Sequence, residues 1–200
     1  IPIAVGALKG PLAIAAARWL ERFAYRNSRQ IVALSPGMKE GIVLAGYPQE
    51  RVHVIPNSAD LELFDVPPSA GELFRKRFDW LQNRPLVVYT GTMGLINGVD
   101  YLARLAVSVK EMDPEIRFLV VGKGKKEKHV RKVAKRSGVL NNNFFMMEPV
   151  SKADVPKILS AADLATSLFI DLPEMGANSA NKFFDALASG TPIAINYKGW

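Results

Sequence analysis

The chain has 200 residues, 48% of them apolar, no cysteine, and a formal net charge of +7 from 26 basic against 19 acidic side chains. This composition excludes a disordered chain, a disulfide scaffold, a thiolate metal site and a cysteine nucleophile, and it fits a reducing compartment. No run reaches the about 18 apolar residues of a bilayer-crossing helix, because Lys9, Gly10 and Pro11 interrupt the opening apolar stretch, which also lacks the flanks of a signal peptide.

In chain order, apolar periodicity predicts a helix from Leu12 to about Arg26, a strand at "QIVALS", a helix after Pro36 and a strand at "RVHVIPN". Pro67, Pro68 and Ser69, then a short helix "ELFRKRFDWL", suit a linker at 66–83 between a first domain (1–65) and a second (84–200). After Arg84-Pro85, apolar strands alternate with helices: "LVVYTG", a helix near Gly98–Lys110, "RFLVVG", a basic helix, "NFFMME", "KADVPKILSAAD", "LATSLF", a helix from about Ala180, and "PIAIN". Strands this apolar are covered on both faces, so the fold class is α/β with a parallel sheet. The chain opens on Ile1 and stops at Trp200 with no closing helix, so it is expected to be a fragment.

Two glycine turns follow predicted strands, "YTGTMGLINGVD" and "VVGKGKK". Ligands of open parallel sheets bind at that edge, where glycines let backbone amides approach phosphate. Gly91, Gly94 and Gly98 lack dinucleotide spacing, Gly122 and Gly124 lack a third glycine, and no Walker lysine motif occurs. A dehydrogenase is therefore disfavoured. Residues 123–136 carry eight cations against Glu127 alone, and Arg18, Arg22 and Arg26 recur every fourth residue of the first helix. Aromatics are not interleaved with these cations, which argues against a nucleic-acid partner. His53 and His129 read as surface residues, and Phe144, Phe145, Met146 and Met147 as strand core.

Several strings, in this order, resemble the retaining GT-B glycosyltransferases of the group-1, or family-4, type. "RFAYRNSRQIVALSPGMKEGI" with "RVHVIPNSADLELF" is similar to the end of that family's acceptor-side domain, with its Ser-Pro turn and "vIPNgvD" hinge. "VVYTGTMGLINGVDYL" and "FLVVGKGKKE" are similar to the donor domain's glycine loop and "ivGdG" turn. "PVSKADVPKILSAADLATSLF" resembles the segment lining the nucleobase pocket, and "KFFDALASGTPIAI" the "lEAmAcGkPVia" helix.

The resemblance implies a Rossmann-like GT-B fold, with the end of an acceptor domain and most of a donor domain. It implies transfer of a sugar from a nucleotide-diphosphate donor, commonly UDP-linked, to a lipid-linked or saccharide acceptor, with retention. It implies donor contacts at Gly91, Thr92, Gly94, Gly122, Lys123, Gly124 and Val150, and a location in the cytoplasm, peripheral at the inner face of the cell membrane. The donor is a substrate; no cofactor is implied, and no D-x-D motif calls for a metal.

Two family features are altered. Of the two glutamates separated by seven residues, the second is replaced by Asp185, a carboxylate able to bind ribose hydroxyls, while the first falls on Ala177, with Glu174 three residues earlier. The arginine and lysine of the glycine loop are replaced by neutral Thr92 and Asn97. Departure of a nucleoside diphosphate needs positive electrostatics, so another group has to supply it. A subset of the family, transferring N-acetylated amino or deoxy sugars in surface-polysaccharide assembly, shows a similar "S-x-N-K" helix start. Ser179, Asn181 and Lys182 stand there, Asn178 or Ser179 being able to cap the helix and Lys182 adding a charge to its positive end. Lys182 and Glu174 are the candidate catalytic groups. The competing readings are a nucleotide-sugar 2-epimerase on the same scaffold and a basic nucleic-acid-binding domain; the donor half offers no His clustered with Glu for the first. The cationic helices would draw the protein to an anionic membrane surface.

Overall fold

A computed structural model describes residues 3–199. Residue contacts divide the chain into two compact units. The first takes residues up to Asn57 with Asp171–Ser179 and the segment from Tyr197; the second takes Ser58–Ile170 and Ala180–Asn196.

The first unit runs α1 (Pro11–Arg26), β1 (Ile31–Ala33), α2 (Pro36–Leu44) and β2 (Val52–Val54). Its strands pair in parallel from Ile31 opposite Val52 to Ala33 opposite Val54. Ala33, Ile42, Tyr47 and Val52 form its core, with Tyr25 of α1 packed on them. The Ser-Pro pair starts α2: Ser35 Oγ accepts the Met38 N–H at 3.1 Å, and Pro36 sits where a missing donor costs nothing. Ser35 also donates to the Ala177 carbonyl, and Asn57 Nδ2 donates to the Ser179 carbonyl at 2.7 Å.

The second unit opens with a helical turn, α3 (Leu61–Phe64), that the sequence did not announce. Next comes α4 (Pro68–Arg75), which starts at the proline pair; Lys76–Leu81, predicted to continue a helix, form turns that bury Leu81. Proline at the first helical position sets this earlier start. There follow β3 (Leu86–Thr90), α5 (Asp100–Met112), β4 (Arg117–Val121), α6 (Glu127–Arg136), β5 (Phe144–Met147), α7 (Val155–Ala161), β6 (Leu164–Ser167), α8 (Asn181–Ala188) and β7 (Ile193–Ile195).

The five strands form one sheet in the order β5-β4-β3-β6-β7, every neighbouring pair parallel. The period of two is visible in the core. Tyr89, Phe118, Val120 and Phe144 enter the cluster under α5 and α6, while Leu86, Val88, Leu119, Val121 and Phe145 enter the one holding Phe74 and Ile158 of α4 and α7. Strand order reverses between β3 and β6, so the connections leave this point in opposite directions and open a crevice at the carboxyl ends of these strands.

Both glycine turns stand at that edge and are stitched together by backbone bonds: Gly91 N–H to the Val121 carbonyl at 2.9 Å, Met93 N–H to Lys123 at 3.0 Å, and Lys126 N–H back to Met93 at 2.9 Å. Such closeness forbids a side chain at Gly122, whose φ is +142° and where a Cβ would overlap the Gly91 carbonyl oxygen. Gly122→Ala is expected to destabilise the chain by about 2 kcal/mol or more, and to lower its melting temperature by roughly 4–8 °C. Calorimetric scanning checks this; an unchanged melting temperature would show the turns to be free to separate.

Candidate functional site

A cleft of about 270 Å³ lies at this edge, lined by Thr90, Gly91, Thr92, Val121, Gly122, Lys123, Pro149, Val150 and Val155. Five of the residues singled out from the sequence, Gly91, Thr92, Gly122, Lys123 and Val150, thus meet around one volume. Among the described residues the amides of Thr92 and Lys123 make no backbone hydrogen bond, so two donors border the cleft unspent. Its wall at Pro149, Val150 and Val155 is apolar and its opposite side is polar backbone, which suits a ligand with a flat ring at one end and anionic oxygens at the other.

Lys182, second residue of α8, reaches back toward the first glycine turn. A Cβ on Gly91 would stand 3.3 Å from its Cε and 3.9 Å from its Nζ. The ammonium lies 5.3 Å from the ring centroid of Tyr89 and 5.8 Å from that of Phe169. Among the described residues it makes no hydrogen bond and no ion pair. Burial holds it below the ordinary lysine value, with Asp185 opposing the shift. A half-buried cation that only aromatic faces partner is a receptor for an anion.

Asp185, three residues on, is half-buried too. Burial raises its carboxyl above the ordinary value, and Lys152 and then Lys182 oppose that rise. Lys152 follows the apolar wall of the cleft, so the region presents alternating charge: Lys182, Asp185, Lys152.

Neither Lys182 nor Asp185 lines the cleft itself; Lys182 lies beside Gly91 at its rim. The other candidates are placed differently. Gly94 donates its amide to Asn97 Oδ1 at 3.1 Å, which closes the glycine turn and spends Asn97 on structure. Gly124 packs beneath Met93, and Asn181 is exposed at the start of α8; neither lines the cleft. Helix α8 is not capped by Asn178 or Ser179. Its N-cap is Ala180, with no side-chain bond, because Ser179 is occupied: its hydroxyl accepts the Asn57 N–H at 3.4 Å and its carbonyl the Asn57 amide. Glu174 is exposed on the 3₁₀ turn Pro173–Ala177 of the first unit and does not line the cleft. His53 pairs with Gln30 at 2.7 Å and His129 stands 3.9 Å from Asp100, both on the surface. Among the described residues no cluster of three or more His, Asp or Glu side chains is placed to hold a metal ion. Sequence reasoning missed Tyr89 and Phe169; the available signal was their position at the carboxyl ends of the two strands that flank the reversal of strand order.

Comparison with known proteins bears on the family and the fold. The family model described as glycosyl transferases group 1 matches residues 84–199, and that described as a glycosyl transferase 4-like domain matches residues 4–58. The chain belongs to the group 1 glycosyltransferases. It is similar to an Escherichia coli UDP-Gal:α-D-GlcNAc-diphosphoundecaprenol α-1,3-galactosyltransferase, 24% identical over 182 residues, covering 90% of this chain and 45% of that protein. It is also similar to the α-D-kanosaminyltransferase of Streptomyces kanamyceticus, 25% identical over 150 residues, covering 74% and 38% respectively. Among solved structures, Anabaena HepE in complex with UDP and glucose superimposes with a TM-score of 0.75 at 21% identity, over 91% of this chain and 48% of that one. The chain thus spans less than half the length of each of these three relatives, and over that span its fold is of the GT-B type.

In this group 1 family chain the burial of Lys182 carries an electrostatic cost. Lys182 has a folded-state value below its unfolded one, so stability is withheld while the folded-state ammonium is charged and recovered as pH rises from the folded toward the unfolded value. Lys182→Met is therefore expected to raise the melting temperature of the ligand-free chain at pH 7, by about 2–4 °C for each kcal/mol recovered. The gain should shrink at pH 10.5. A variant that melts lower at both pH values would show that the lysine is satisfied where it lies.

Proposed function

We propose that this chain binds the donor of a retaining glycosyltransferase, a nucleoside diphosphate sugar with UDP as the nucleotide. The observation that supports the reading above all others is the unpaired Lys182 ammonium beside Gly91. It would supply the positive charge that Thr92 and Asn97 lack, and it stands beside Gly91, the residue before the unspent Thr92 amide. As the bond from the sugar to the diphosphate breaks, negative charge builds on the departing oxygen, and a fixed cation in a partly dry site lowers that barrier without reorganising. The uracil ring fits the apolar wall of Pro149, Val150 and Val155, and Asp185 accepts hydrogen bonds from the ribose hydroxyls. No cofactor is called for. A lipid-linked or saccharide acceptor is in keeping with the diphosphoundecaprenol substrate that the E. coli relative's name states.

A membrane surface fits the same reading. In α1, Leu12, Trp19, Leu20 and Phe23 are 85%, 65%, 59% and 50% exposed, Trp19 and Phe23 stack at 5.4 Å, and Arg18, Arg22 and Arg26 are exposed on the same helix. An aromatic-apolar face bordered by arginines suits the headgroup layer of an anionic bilayer. No helix among the described residues is long and apolar enough to cross one.

Titration calorimetry of this chain with UDP, GDP and ADP is expected to show binding of UDP. Lys182→Ala should weaken it by about 1–3 kcal/mol, the worth of a charge-assisted hydrogen bond. Asp185→Asn should weaken uridine and UDP alike, which separates ribose from phosphate. If none of the nucleotides bound the folded chain, the donor reading would fall. For the membrane, co-sedimentation should be strong with anionic vesicles, weak with neutral ones, and reduced by changing Trp19 and Phe23 to serine; indifference to lipid charge would overturn that part.

A further inference from the structure

We infer that Tyr89 and Phe169 are positioning residues, which hold the Lys182 ammonium against the first glycine turn so that charge and turn meet the donor diphosphate as one preset unit. This rests on the donor reading above. Tyr89 is fully buried as the penultimate residue of β3, with its ring 5.3 Å from Nζ, and its hydroxyl donates to the Thr92 carbonyl at 2.8 Å. One side chain therefore fixes the turn with its polar end and the lysine with its face. Burial pushes the phenol up from its ordinary value, so it stays a donor throughout the physiological range.

Phe169 supplies the second face, 5.8 Å from Nζ. Its backbone is clamped from both sides by Asn196 after β7: the Phe169 N–H donates to Asn196 Oδ1 at 2.9 Å, and Asn196 Nδ2 donates to the Phe169 carbonyl at 2.8 Å. Gly98 packs against that carbonyl too, where a Cβ would come within 3.0 Å of its oxygen. The lysine is thus guided by one ring from β3 and one from the segment just past β6, the two neighbouring strands that flank the reversal, and Gly91 opposite has no side chain to fill the path. Among the described residues the charged group that bears on the ammonium is Asp185, on the same helix.

Aromatic faces suit this task because they attract a cation without neutralising it. A carboxylate in their place would pair with the lysine and compete with the diphosphate; a quadrupole leaves the full charge for the ligand. Two rings also remove rotamers from a flexible four-carbon side chain before the ligand arrives, which reduces the entropy lost on binding.

The test joins a spectroscopic signature with affinity, on the chain as it stands. In lysine-labelled protein assigned with Lys182→Arg, the Lys182 Hε resonances are expected upfield of the other lysines because they lie over ring faces. Tyr89→Leu and Phe169→Leu should each remove part of that shift, and Tyr89→Phe should keep it. UDP affinity should fall about tenfold in Tyr89→Leu, with little further loss when Lys182→Ala is added. Tyr89→Phe, which keeps the ring and frees Thr92, should fall by about threefold, a smaller loss that isolates the turn. Should Tyr89→Leu fail to fold, Phe169→Leu and Tyr89→Phe carry the comparison. A Lys182 resonance at the ordinary lysine position, or full additivity of Tyr89→Leu with Lys182→Ala, would overturn the inference. Wild-type protein that ignored UDP would sink the donor reading, while the ring-current comparison would still decide whether the rings hold the lysine.

Discussion

One half-buried cation, Lys182, makes no ion pair among the described residues and is opposed in its burial by Asp185 alone of the charged groups there. Lys182 lies where β3 and β6, neighbours in the sheet, send their connections apart, with the rings of Tyr89 and Phe169 facing its ammonium. An ammonium removed from water costs free energy unless it is paired. The two rings return only part of that cost, about 0.5–2 kcal/mol for each cation–π contact according to how far water is excluded. The remainder is a cost that an anion beside the turn would offset, which is the ground of the donor proposal.

The glycines are the second constraint, and they follow from the first. A lysine arriving from α8 can lie along the turn only if Gly91 lacks a side chain, and the turns of β3 and β4 can be stitched together only if Gly122 lacks one. Asn97, at a position where the family carries a lysine, closes the loop on the Gly94 amide instead. The turn is thus closed by a neutral amide, and the ammonium that lies beside it is that of Lys182 from α8. A cation carried on a helix has a more fixed direction than one carried on a loop, which is the premise of the donor proposal.

Much of this was legible in the sequence. The apolar strand runs, the glycine turns at their ends and the proline-marked helix starts all carry local signals, and Gly91, Thr92, Gly122, Lys123 and Val150 do line one cleft. What escaped were features set by distant partners. Ser179 reads as a helix cap, yet Asn57, far away in the chain, claims both its hydroxyl and its carbonyl. Tyr89 reads as strand core, which it is; that its ring also faces a lysine ninety-three positions later follows from strand order alone. The helix predicted at "ELFRKRFDWL" shifts toward its N-terminus because the prolines start it early and Leu81 is needed in the core as a turn residue.

The charges of α8 break local rules in a consistent way. Lys182 stands in the first turn, where the positive end of the helix dipole disfavours a cation, and Asp185 is half-buried with its carboxyl raised by that burial. Each is electrostatically misplaced for the stability of an isolated helix. Three residues apart, they project from neighbouring angles about one turn from each other, close enough to moderate one another without forming an ion pair. The pattern is intelligible if a third body completes it: an elongated ligand with anionic oxygens at the height of Lys182 and hydroxyl donors one turn deeper, at the height of Asp185. A nucleoside diphosphate has that order of groups along its length, and places where a sequence departs from local consistency are where function is expected to reside.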